Sequence, residues 1–189
     1  MTLNEFMEKI EAYPVIPAVK NDAWLEECCK QDSEMVYVLY GDICNIADIV
    51  DRIKKCSKKA IVHIDLITGL ESKAISVDFL YKITNLDGII SMKPAMIKRA
   101  QELGIFTIQR FYLIDGITYS NVIKHVKIGN PDVIEIMPAG VHKIIKYLKN
   151  EVEKPIIASG LSQDTEDIMA VLNSGGVAVS TTNKNLWDC

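Results

Sequence analysis

With 189 residues, 49% of them apolar, the chain is long enough for one sizeable core and too short for two ordinary domains. Its formal charge of −4, from 21 basic and 25 acidic side chains, gives no overall basic signature for nucleic acid, although it leaves room for local clusters. No run of about 18 apolar residues occurs and the N-terminus is acidic and polar, so neither a membrane span nor a secretory leader is predicted, and a soluble, cytoplasmic protein is expected.

In chain order, residues 2–13 have a helical pattern and are placed to cover the open bottom of a barrel. Eight short apolar runs then recur, at 14–20, 35–42, 60–65, 88–93, 106–110, 133–137, 155–160 and 178–182, with helix-like segments between them. Asn45, Ser72, Pro94, Asp115 and Ser162 or Asp164 are the expected helix openers; Gly104, Gly129-Asn130-Pro131 and Ser174-Gly175-Gly176 are the expected stops. Eight strands alternating with helices predict an α/β fold, a compact (β/α)8 TIM-type barrel formed as a single domain over residues 1–189. Only residues 183–189 come after the last strand, so the last helix is expected to be truncated. The five cysteines are odd in number and form no C-x-x-C pair; they are read as reduced packing residues, and no metal ligand set or cofactor motif is present.

A barrel of this kind builds its site from the carboxyl ends of its strands. Polar residues stand out there: Lys20, Asp42, His63, Asp65, Lys93, Gln109 and Glu135. In the fifth strand Gln109 and Arg110 must point opposite ways, so one faces the lumen. Burying several such groups without a purpose would be costly, which favours a ligand-binding role. Ser159 and Gly160 close the seventh strand, and Ser180, Thr181, Thr182 and Asn183 close the eighth, the two places where barrels often hold phosphate. A small phosphorylated metabolite is therefore the expected ligand. Lys93 could form a Schiff base, pair with Asp65 or Glu135, or act as a phosphate counter-charge, and His63 with Asp65 could exchange protons; residue type does not choose among these. Basic candidates for a polyanion are Arg52, Lys54, Lys55, Lys58 and Lys59, then Lys98 and Arg99, then Lys124, Lys127, Lys143, Lys146 and Lys149; the alternative for all of them is a set of solvated outer helix faces.

The segments Val36-Tyr-Val-Leu-Tyr-Gly-Asp-Ile43, Val62-His-Ile-Asp-Leu-Ile-Thr-Gly-Leu70, Asp87-Gly-Ile-Ile-Ser91, Thr107-Ile-Gln-Arg-Phe111 and Ala178-Val-Ser-Thr-Thr-Asn183 resemble the glycerol-3-phosphate-responsive antiterminators of bacterial glycerol operons. Pro17-Ala-Val-Lys-Asn21 extends the likeness towards the start, while Ser91-Met92-Lys93 stands where the family pattern has Ser-Thr-Lys. The resemblance implies a cytoplasmic regulator, without catalytic residues, that binds glycerol 3-phosphate and an mRNA leader and lets transcription pass a terminator. RNA would then lie on a basic helical face or across a homodimer. The competing readings are a barrel enzyme acting on a small phosphate ester (isomerase, aldolase or phosphodiesterase type) and a metabolite-binding protein that acts through a protein partner.

Overall fold

The computed structural model describes all 189 residues, Met1 to Cys189. The strands are β1 (Val15–Val19), β2 (Met35–Val38), β3 (Lys59–His63), β4 (Gly88–Ser91), β5 (Phe106–Tyr112), β6 (Val133–Met137), β7 (Ile156–Ser159) and β8 (Ala178–Thr181). The helices are α1 (Leu3–Ala12), α2 (Asp22–Cys28), α3 (Ile46–Lys55), α4 (Ala74–Ile83), α5 (Pro94–Glu102), α6 (Gly116–Gly129), α7 (His142–Glu151) and α8 (Thr165–Asn173). All eight strands are parallel and close into a barrel in chain order, β8 returning to β1 with Ile16 opposite Ser180. This is the expected (β/α)8 barrel. After β8, residues 182–189 form a single 3-10 turn, Lys184–Leu186.

Strand residues are apolar on both faces because each strand is covered by helices outside and by its neighbours across the lumen. Inside, Ile16, Met35, Ile61, Ile90, Phe106, Ile108, Val133, Ile157 and Ala178 form one buried cluster at the lower end of the barrel. α1 plugs that end: Phe6 stacks on Phe106 with ring centroids 5.0 Å apart, and Ile10 joins the same cluster. Outside, two further clusters pack α2 to α5 and α6 to α8 against the sheet.

Local chemistry sets most helix ends. The side chains of Thr2, Asn21, Asp115 and Asp164 accept backbone N–H groups at the starts of α1, α2, α6 and α8, and Asp115 with Thr118 forms a reciprocal capping box. Pro94 opens α5, and Asn130 leaves α6 in the left-handed conformation. Two expected caps fail. Asn45 turns its side-chain oxygen to the Asp42 N–H (2.8 Å) rather than to α3, and α4 begins after Lys73 with no side-chain cap, leaving Ser72 outside. The expectation of reduced thiols throughout also fails at one pair, since Cys29 and Cys56 form a disulfide. α2 and α3 pack side by side and end near one another, bringing the two Cα atoms to 5.6 Å. No helix is long and apolar enough to cross a membrane.

Candidate functional site

Two residues along a strand return to the same face. Moving up by that step from the aliphatic layer brings Tyr37 on β2, His63 on β3, Arg110 on β5, Glu135 on β6, Ser159 on β7 and Ser180 on β8 into the lumen, all buried. Glu135 is wholly buried and accepts from Arg110 Nε at 2.6 Å and from Ser180 Oγ at 2.8 Å. Burial works against the Arg110 charge, but the Glu135 carboxylate more than offsets it and holds the guanidinium above its ordinary range. Burial, followed by repulsion from Arg110, pushes His63 down to about 3, so the imidazole is neutral. His63 Nδ1 has no hydrogen-bond partner, and the nearest Asp65 oxygen is 3.9 Å away. The Tyr37 hydroxyl is likewise unpartnered, its titration driven well up by burial and by Glu135.

Above this layer lies a cleft of about 500 Å3, floored by Arg110 and Ser180 and walled by the loops after β7 and β8. No carboxylate lines it. Ser159 and Ser162 contribute buried hydroxyls that find no partner in the chain. Gly160 and Leu161 are both left-handed, at φ 75° and 62°, which turns the chain sharply beside the cleft. The N–H groups of Gly160, Leu161 and Thr182 have no acceptor within the protein. Lys20 completes the rim, its ammonium 4.2 Å from the centre of the Trp24 ring and without a carboxylate partner. Hydroxyls, free amides and one ammonium group thus surround a space lacking negative charge, the composition an anion needs.

Of the residues singled out from sequence, Lys20, Ser159, Gly160, Ser180, Thr181, Thr182 and Asn183 line this cleft, and Glu135 lies beneath it, bonded to two of its floor groups. His63 belongs to the lumen layer. The other four do not gather there. Gln109 points outward against α6, where Gly129 makes room for it, and a Cβ on that glycine would sit 2.7 Å from the amide oxygen. Arg110 is the lumen-facing member of that pair. Asp42 uses its carboxylate to accept the Cys44 and Asn45 N–H groups at 2.7 and 3.1 Å, closing its own turn. Asp65 accepts from Ser91 Oγ at 3.1 Å and from the Met92 N–H at 2.7 Å, pinning the end of β4. Lys93 is exposed, forms no ion pair, and lies outside the cleft lining, because β4 ends at Ser91 and the chain turns into α5. Sequence reasoning misses Tyr37 and leaves the choice between Gln109 and Arg110 open. Counting inward positions from Phe106 and Ile108 identifies Arg110, whereas Tyr37 hides within an apolar run. No three His, Cys, Asp or Glu side chains converge as a metal site.

A family model described as glycerol-3-phosphate responsive antiterminator matches residues 15–187. The uncharacterized protein YgcP of Escherichia coli strain K12 is 41% identical over 174 residues, covering 92% of this chain and 91% of that protein. Among solved structures, the glycerol uptake operon antiterminator regulatory protein of Listeria monocytogenes matches with a TM-score of 0.90 at 30% identity, over 93% of this chain and 95% of that one. A glycerol uptake operon antiterminator-related protein of Thermotoga maritima matches at 0.83 and 26%, over 93% and 98%. An aldolase at a TM-score of 0.71 and 10% identity shares the barrel alone.

Proposed function

The chain belongs to the glycerol-3-phosphate responsive antiterminators, a family of regulators rather than enzymes, and from that premise we propose that it is a cytoplasmic sensor of glycerol 3-phosphate that binds an mRNA leader. The observation that carries the ligand half is the acid-free cleft above the Arg110–Glu135 pair. The phosphate sits against the free N–H groups of Gly160, Leu161 and Thr182 and the hydroxyls of Ser159, Ser162 and Thr182, with Lys20 as counter-charge in the place expected of Lys93. The glycerol hydroxyls reach down to Ser180 and the Arg110 guanidinium, whose other side is held by Glu135. A molecule carrying only one half of glycerol 3-phosphate satisfies only one end of the cleft.

Ligand acts by linkage. It fixes the loops after β7 and β8, and the form so fixed binds RNA better; by reciprocity, RNA raises the affinity for ligand by the same factor. Calorimetric titration with glycerol 3-phosphate, with glycerol and inorganic phosphate as controls, tests the first half. Saturable binding that requires both halves is expected, and no binding by the folded protein overturns the reading. RNA binding measured with and without ligand tests the second; equal affinities overturn the coupling.

A further inference from the structure

Net charge is distributed unevenly around the barrel. α6 and α7 together carry five lysines (Lys124, Lys127, Lys143, Lys146 and Lys149) against the single carboxylate of Glu151, +4 on a chain of −4. None of the five takes part in an ion pair, while Arg52, Lys54, Lys59, Arg99 and Lys184 elsewhere are all paired. α7 also opens with His142 and Lys143, has no side-chain cap, and so puts basic groups where the helix dipole is already positive. A partner with negative charge relieves that arrangement.

Between the upper ends of these two helices runs a groove of about 350 Å3, walled by Leu113, Ile114, Tyr119, Val141, Ile144 and Tyr147. It is apolar and open: Ile114 is 83% and Tyr147 61% exposed. Asp115 also borders it, but its carboxylate is occupied in the capping box of α6. The groove is tied to the cleft by backbone hydrogen bonds. Leu113 N–H donates to the carbonyl of Met137, a cleft residue, and Ala139 N–H donates to the carbonyl of Gly160 on the anion loop.

We propose that the α6–α7 groove is the RNA surface, holding a single-stranded segment with bases against Tyr119 and Tyr147 and phosphates on Lys143, Lys146 and their neighbours. The inference rests on the antiterminator reading above and names the surface that reading requires. An aromatic-walled groove between two helices that carry unpaired lysines fits single-stranded nucleic acid, because every base has a face to stack and every nucleotide a charge to neutralise. An acidic protein would use the lysines and have little need of the tyrosines. The shared hydrogen bonds with Met137 and Gly160 give ligand a route to the groove wall.

The test is binding of a fluorescein-labelled, unstructured single-stranded RNA of mixed sequence to the full chain, with saturating glycerol 3-phosphate and at several salt concentrations. The variants are Lys143→Glu with Lys146→Glu, Tyr147→Ala, and a control pair on the α2–α3 face, Lys30→Glu with Lys55→Glu. Calorimetry with glycerol 3-phosphate shows that each variant is folded, since none of these residues lines the cleft. The charge reversal is expected to weaken RNA binding about ten-fold or more and to flatten its salt dependence, by roughly 0.7 in log–log slope for each phosphate no longer neutralised. Tyr147→Ala is expected to weaken it about ten-fold through the absence of stacking, and the control pair to leave it unchanged. If RNA binds and only the control pair weakens it, the groove is overturned while the antiterminator reading stands. If the lysines matter and Tyr147 does not, the surface is a plain polyanion face suited to an acidic protein, and the proposal again fails. If ligand binds but RNA does not, with or without it, the reading and the groove fall together.

Discussion

The lower and upper halves of the barrel lumen are built from the same strands, two residues apart, and do opposite things. Below, Ile61, Ile108, Val133, Ile157 and Ala178 meet Phe6 and Ile10 from α1 in a dry aliphatic layer. Above, one step along those strands, stand His63, Arg110, Glu135, Ser159 and Ser180. The lower layer is held by burial, which is non-directional and tolerates repacking as long as volume is kept. The upper layer is held by a few directed bonds, and three of its polar atoms, Tyr37 Oη, His63 Nδ1 and Ser159 Oγ, are left without partners. Stability is concentrated in one layer and the proposed recognition in the other, separated by about 7 Å of strand.

Substitutions should separate the two. Phe6→Ala removes the plug from the lower layer and should cost about 4 kcal/mol in urea denaturation, while any folded protein keeps its affinity for glycerol 3-phosphate. Glu135→Gln leaves the buried Arg110 charge without its counter-ion and should cost about 3 kcal/mol. Changing both partners, Arg110→Met with Glu135→Leu, should restore much of that stability but not ligand binding, measured by denaturation and calorimetry on the same samples. His63 gives a smaller effect with a defined sign. Its folded value of about 3 lies below the ordinary 6.5, so the unfolded chain takes up the proton first. That part of the stability is full above pH 6.5 and falls as pH drops towards 3. Between pH 7 and pH 5 the wild type should lose on the order of 2 kcal/mol that a His63→Phe variant keeps, read from denaturation midpoints. At the cleft, Ser180→Ala with Thr182→Ala should weaken glycerol 3-phosphate about ten-fold with the fold intact. Lys93→Met, outside the cleft, should leave the dissociation constant unchanged.

The strands are legible because a parallel strand buried on both faces reads as an apolar run, and the carboxyl face follows from the barrel. His63 and Glu135 are legible as polar residues interrupting such runs, and the loops after the seventh and eighth strands as hydroxyl-rich turns. Gln109 is misplaced because alternation gives two phases, and choosing between neighbours needs the position of the lumen. Asp42 and Asp65 mislead for a different reason: a carboxylate near a strand end serves backbone N–H groups as readily as a ligand, and only the folded turn shows which it does. Tyr37 is silent because its ring belongs in a core and only its hydroxyl does not. The Cys29–Cys56 bond depends on how α2 packs on α3, which spacing along the chain does not encode.

The chain has two tryptophans, and both stand beside the Lys20 end of the cleft. Trp24 and Trp187 meet edge to face with centroids 6.0 Å apart, Trp187 Nε1 donates to the Thr181 carbonyl at 3.0 Å, and the Lys20 ammonium lies over the Trp24 ring. Indole emission from this molecule is therefore a local signal from the rim of one cleft. On the function proposed above, an anion that draws Lys20 off its ring changes that signal directly, and occupancy is read without a label.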